Sequence, residues 1–275
     1  MNNIPKVVII GNIAYDINTF PNRRDKKVVN LGGACLYSAI PASIFYPVGI
    51  VSKVGEDFDM KYLKNFNIDT EGVKKVSNQK TTRFYHRILS KDGQEREIVG
   101  DVDRKMTILP SDIPYRYFCA SNIHIATQEP TAQLELIKEI KRKSNAIISV
   151  DTILEFSKDP LLKEVFDLVD IAFIDKEFTN LLDCKAPIKI IKLGKEGCIY
   201  VKKDKGFIEK ANVIDEVVDK IGAGDCLNGV FINLVGNGID EKKALRKAVD
   251  IATESINDYG MISLYSKHKK QIRER

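Results

Sequence analysis

The chain has 275 residues, of which 44% are hydrophobic and 29% charged, and a formal charge of +5. This is the balance of a soluble globular protein, long enough for one large core and a smaller appendage. No apolar run approaches the roughly 20 residues of a membrane span, and Met-Asn-Asn-Ile-Pro-Lys at the start lacks a signal-peptide pattern, so a cytoplasmic protein without a membrane partner is expected. Five cysteines and three histidines lie scattered with no Cys-x-x-Cys, which argues against a disulfide framework or a zinc site.

Lys6 to Ile10 is a continuous apolar run that predicts a buried strand ended by Gly11. A polar segment follows to Lys27, then a short strand over Val28 to Leu31. Gly32-Gly33 opens a helix to about Phe45, Val48 to Val54 reads as a strand, and Asp57 to Phe66 as a helix begun by acidic residues. Thr81 to Leu89 and Gln94 to Val99 are strand-like on either side of Lys91-Asp92-Gly93, a hairpin signal. Both arms are heavily charged, which fits an exposed flap and not a buried sheet.

From Asn122 onward strands and helices alternate. Asn122 to Ala126, Ala146 to Val150, Asp170 to Ile174 and Ile188 to Leu193 read as strands. Helices are predicted from Pro130 to Lys143, from Leu161 to Phe166, and briefly through Leu182. Cys198 to Val201 and Gly206 to Ile208 read as a hairpin, and the last predicted helix is capped by Asp240. The Lys/Arg-rich tail after Ser266 reads as a solvated end, and no nucleic-acid partner is expected. The alternation predicts an α/β fold with a mostly parallel sheet, its strand ends converging on one edge.

One stretch carries chemistry. Val217-Val218-Asp219-Lys220-Ile221-Gly222-Ala223-Gly224-Asp225 runs from a strand-like end through a glycine turn into a helix marked by Leu227, Val230, Phe231 and Leu234. Such a start presents backbone N–H groups at the positive end of the helix dipole and suits an anion, phosphate above all. A carboxylate at Asp225 would repel a resting phosphate, but it suits a base that deprotonates a hydroxyl attacking one. The bland alternative is a tight turn with an acidic dipole partner. The chain lacks the Gly-x-x-x-x-Gly-Lys-Ser/Thr P-loop, the Gly-x-Gly-x-x-Gly dinucleotide pattern and a Gly-x-Ser-x-Gly elbow.

These residues resemble the ribokinase-like, or PfkB-type, carbohydrate kinase family. Asp219 to Asp225 is similar to its Asp-Thr-x-Gly-Ala-Gly-Asp signature, with Lys220 in place of Thr; Leu31-Gly32-Gly33-Ala34, Val51 to Asp57 and Ile191 to Gly197 also match recurring segments. The resemblance implies a three-layer α/β/α fold with a small β lid: a core of residues 1–11, 32–71 and 103–275, and a lid of 12–31 and 72–102. It implies ATP- and Mg²⁺-dependent phosphorylation of a small sugar-like metabolite (sugar, sugar acid, nucleoside or inositol). Asp225 is then the general base, and the amides of Gly222, Ala223 and Gly224 form the anion hole. Asp16, Gly32, Gly33 and Tyr37 are expected at the acceptor. Lys192, Gly194, Gly197, Asp219 and Gly224 are expected along the nucleotide, and Glu177 or Asp175 at the magnesium. A homodimer through the lid is implied as well.

Three departures from the family stand out. Tyr37 occupies the place of an Asn that contacts sugar, Val249 that of an Asn near the adenine, and the Asn-x-x-Glu segment falls imperfectly on Ile174 to Glu177. Arg83, Arg87, Arg96 and Arg104 are candidates for an anionic substrate or for a solvated flap face. The alternative function is a catalytically weak sugar- or nucleoside-binding sensor on the same scaffold.

Overall fold

The computed structural model describes residues 4–20, 26–90, 96–101, 103–203, 205–214 and 217–273. In chain order the first half carries β1 (Val7–Ile10), β2 (Ala14–Phe20), β3 (Lys26–Gly32), α1 (Gly33–Ala42), β4 (Val48–Val54), β5 (Ile68–Lys75), β6 (Thr82–Ile88) and β7 (Arg96–Asp101). The second half carries β8 (Asn122–Ile125), α2 (Pro130–Lys143), β9 (Ile147–Val150), α3 (Leu162–Asp167), β10 (Ile171–Asp175), β11 (Ile188–Lys192), β12 (Cys198–Lys202), β13 (Lys205–Glu209), α4 (Ala223–Gly236), α5 (Glu241–Ser255) and α6 (Ile262–Arg273).

Two sheets result. The larger has nine strands in the order β13-β12-β11-β10-β9-β8-β1-β4-β5. From β11 to β5 its pairs are parallel, and the β12–β13 hairpin closes one edge antiparallel. The strand β1 shows why it is covered on both faces. Val7 and Ile9 join the apolar cluster that contains α1, α4, α5 and the buried side of α6. Val8 and Ile10 join the cluster that contains α2 and α3. Alternate residues of one strand thus serve two helical layers, which gives the three-layer α/β/α architecture.

The smaller sheet has the order β3-β2-β6-β7. Its hairpin arms β6 and β7 pair antiparallel as expected, although Lys91-Asp92-Gly93 lies outside the described residues. Where a polar excursion and one short strand were expected, β2 and β3 each run seven residues. The inward positions of β2 include Asp16 and Asn18, so hydrophobic alternation could not reveal it. The strand β5 pairs with β4 in the large sheet through Lys75, four residues past the expected boundary at residue 71.

Other expectations change as well. Asp57 to Phe66 is not an α-helix but a 3₁₀ turn over Met60–Asn65, capped by Asp59. Asp57 instead accepts hydrogen bonds from Thr81 N, Thr81 Oγ1 and Arg83, tying the loop after β4 to the smaller sheet. The basic tail after Ser266 is helical and continues α6, whose Leu264 and Tyr265 are buried; Lys267 stays exposed, and Lys267 and His268 both pair with Glu254. Likewise, the short helix expected through Leu182 is a 3₁₀ turn at Thr179–Leu181. No helix among the described residues is long and apolar enough to cross a membrane.

Candidate active site

The site sits where the carboxyl ends of the parallel strands meet the start of α4. Gly222 caps that helix with φ +78°, and no side chain caps it. A Cβ on Gly222 would lie 2.3 Å from the Tyr37 ring. Both the left-handed backbone and the aromatic neighbour therefore require glycine here. Tyr37 also reaches Gly32 and the Asp16 carboxylate, since a Cβ on Gly32 would lie 2.6 Å from its Cζ and 2.7 Å from Asp16 Oδ2. One buried ring thus spans from the expected acceptor residues to the anion turn, and burial next to Asp16 keeps its phenol protonated well above the ordinary range. Helices α1 and α4 touch backbone to backbone, where a Cβ on Gly229 would lie 2.2 Å from Ser38 O.

The turn is fixed from several sides. Asp219 Oδ1 accepts from Ile221 N at 3.0 Å, and Asp219 Oδ2 accepts from Asn18 Nδ2 of β2 at 2.9 Å. The smaller sheet is therefore bonded directly to the anion turn. Asp219 buttresses that turn and is buried, a different position from the expected nucleotide contact. Ala223 N donates to Lys220 O at 3.2 Å, so this amide is engaged inside the turn.

Asp225 opens onto this end of the sheet. Burial, reinforced by Asp151, Asp175 and Asp16 against the opposing pull of Lys192, pushes its carboxyl up to about 8. Lys192, the last residue of β11, lies 2.8 Å from Asp151 and 3.4 Å from Asp175. Asp175, Lys176, Glu177, Lys192, Gly194 and Lys220 line a cleft of about 210 Å³ beside the turn. Three lysines there suit the charge of phosphates, and the two carboxylates suit a hard divalent cation that keeps other oxygen ligands.

Not every expected residue joins this cleft. Gly194 lines it, with nothing within 4 Å of an added Cβ, whereas Gly197 is packed against the backbone of Glu209. Gly33 begins α1 under Asn12 O. Val249 is buried in the apolar core. Arg83 is occupied by Asp57, Arg87 pairs with Glu97, and Arg104 starts an exposed 3₁₀ turn; the side chain of Arg96 lies outside the described residues. Sequence reasoning missed Asn18, Gln128, Thr152 and Asn228, and placed Asp151 at a converging strand end without giving it a role. Gln128 Nε2 and Thr152 Oγ1 are buried without a hydrogen-bond partner among the described residues, just past β8 and β9. Their signal was a polar residue directly after an apolar strand, the position where sheets of this kind place ligands.

Comparison with known proteins agrees with this fold. The sequence model of the pfkB family carbohydrate kinases matches residues 5–268. The cytidine kinase of Thermococcus kodakarensis is 27% identical over 92% of this chain and 97% of its own length. The crystal structure of a nucleoside kinase from Methanocaldococcus jannaschii, an archaeal member of the ribokinase family, superposes with a TM-score of 0.77 at 19% identity, covering 100% of both chains. A putative ribokinase II from E. coli, solved with ATP and Mg²⁺, gives a TM-score of 0.78 at 18% identity over 98% of this chain and 100% of its own.

Proposed function

The chain belongs to the pfkB family of carbohydrate kinases, and on that premise we propose that it transfers the terminal phosphoryl group of ATP to a hydroxyl of a nucleoside, with Asp225 as the general base. Membership makes it a phosphotransferase acting on an alcohol group. The observation that carries the mechanism is the partly buried Asp225 in the first turn of α4, directly after the glycine turn, where burial pushes its carboxyl up to about 8. A base of that strength takes a proton from an attacking hydroxyl more readily than an ordinary carboxylate. The amides at the start of α4 receive the developing charge of the transferring group. Lys176, Lys192 and Lys220 face the phosphates in the cleft, and Asp175 and Glu177 would hold a magnesium ion. That ion, when bound, neutralises phosphate charge. Asp16, with Gly32 and Gly33, orients the acceptor's hydroxyls, and the smaller sheet acts as the lid that excludes water.

Two observations favour a nucleoside among the acceptor classes. Phe84 stands directly opposite Asp16 in the β2–β6 register, on the same face, and is only half-buried. A ring beside the hydroxyl-binding carboxylate offers a base a stacking surface. The Thermococcus relative is itself a cytidine kinase. A panel of nucleosides, ribose, inositols and sugar acids with ATP and Mg²⁺, read by ADP release, tests this. Release with a nucleoside supports the reading. Release only with a free sugar would move the acceptor class, and thermal shifts without release from any acceptor would leave the sensor alternative.

The lid also supports a homodimer. Val29, Ile17, Tyr85 and Val99 lie in register across all four strands on its outer face, with Val29 61% and Val99 66% exposed. An apolar row across an exposed sheet fits a second copy of itself.

A further inference from the structure

Beneath the anion turn lies an ion pair whose acidic member, Asp151, phosphoryl transfer as drawn so far leaves without a task. Lys192 is 9% exposed and Asp151 3%. Lys192 Nζ donates to Asp151 Oδ2 at 2.8 Å and to Oδ1 at 3.0 Å. Asp151 also accepts from Thr152 N at 2.8 Å and from Asn228 Nδ2 at 2.6 Å. Asn228 lies three residues after Asp225 on α4, so both side chains rise from neighbouring positions of one helix face. A Cβ on Gly224 would lie 3.3 Å from Lys192 Nζ, which places the ammonium directly against the backbone of the turn. Buried ion pairs generally add little stability over apolar residues of equal volume, so stability alone does not account for this one.

We propose that Lys192 and Asp151 are a positioning pair for the transfer step: their fixed charges, tied to α4 through Asn228, govern how readily Asp225 takes and releases its proton. The proposal rests on Asp225 being the base. The charges that bear on Asp225 are those of Asp151, Lys192 and Asp175 from the large sheet and Asp16 from β2, and Tyr37 and Cys35 of α1 and the neighbouring Cys226 feel its charge in turn. Among these described residues Lys192 is the one cation. It favours the ionised carboxylate, while Asp151 favours the protonated form. The pair therefore holds opposing influences in balance, and removing either member tips Asp225 in a direction set by the member removed.

Carbon-13 NMR of the full chain labelled at aspartate measures this without any substrate, with the Asp225 signal identified by its loss in Asp225→Asn. The expected result is that Lys192→Met moves the Asp225 midpoint up, and Asp151→Asn moves it down, each by about one pH unit or more, a tenfold change in the ionised fraction. Lys192→Arg keeps the charge and leaves the midpoint near that of the wild type. Midpoints that stay put, or that move together in both variants, overturn the proposal. If Lys192→Met does not fold, the near-isosteric Asp151→Asn decides alone, and an unmoved midpoint overturns it. Split midpoints in a protein that releases no ADP with any acceptor would refute the base and keep the electrostatic pairing. Normal ADP release with unsplit midpoints would refute the pairing and keep the base.

Discussion

In the large sheet an apolar side chain is buried at every position of β1, whereas in the lid β2 turns Asp16 and Asn18 inward and leaves Tyr15 and Ile17 half-exposed. The first pattern is that of a strand between two helical layers. The second departs from it: two of the four buried side chains of β2 are polar, and the outer face carries one apolar row, Val29, Ile17, Tyr85 and Val99, flanked by the charged Arg83, Asp101, Arg87 and Glu97. On the proposed reading the core carries the transfer chemistry on buried elements, and the lid orients the acceptor and meets another copy. Substitutions in the two regions should therefore damage different quantities, turnover in one and binding or assembly in the other.

The largest effect is expected at Asp225. Asp225→Asn should lower kcat by about 10²–10⁴, with nucleotide binding by calorimetry nearly unchanged; near-normal ADP release would remove the base assignment. The same change should raise stability. The folded state holds this proton up to about 8 while an ordinary aspartate releases it at 3.8, so stability falls as pH rises between those values. Melting of Asp225→Asn should thus exceed that of the wild type above about pH 7 and converge with it below about pH 4. The kcat/KM of the wild type should climb with pH through a limb near 8, because the base acts when unprotonated.

Next comes the joint between the regions. Gly222→Ala meets a left-handed backbone and the Tyr37 ring, and should cost about 2–4 kcal/mol in chemical denaturation together with most of the turnover. A fully stable Gly222→Ala would show that the turn tolerates a shift away from α1. In the lid, Phe84→Ala should raise the KM for a nucleoside by about tenfold and leave the KM for ATP alone, the size of a lost base–aromatic stack. An equal change in both constants would argue against stacking. The smallest effect on turnover belongs to Val99→Lys, which should halve the mass seen by light scattering while kcat changes little. A wild type that is already monomeric would dispose of the lid interface.

How much could be read from the chain follows the same division. The buried strands and the turn at Asp225 were visible, because continuous apolar runs and a glycine pair before a helix are local signals. The lid strand β2 was not, because Asp16 and Asn18, two of its four buried side chains, are polar and interrupt the alternation. The helix α6 was obscured by its lysines, which conceal how Leu264 and Tyr265 pack; Tyr265 stacks edge-on against Phe66 at 4.8 Å. Asp151, Lys192 and Asn228 come from three separate segments, and only folding shows that they form one cluster. The role expected for Asp219 followed from a shared motif, yet its partners Asn18 and Ile221 make it a brace between lid and turn.

The backbone contact between Ser38 and Gly229 has a consequence for partial unfolding. With no side chain between them, α1 and α4 have little room to loosen independently, so their amides should exchange with deuterium as one cooperative unit. A fluctuation large enough to disturb α1 then also dismantles the start of α4, where we propose the phosphate is held. Partly open molecules would lose both sites together, so they could not hold ATP near water with the acceptor missing. Close helix packing in this place would protect the cell's nucleotide pool against idle hydrolysis during ordinary thermal opening.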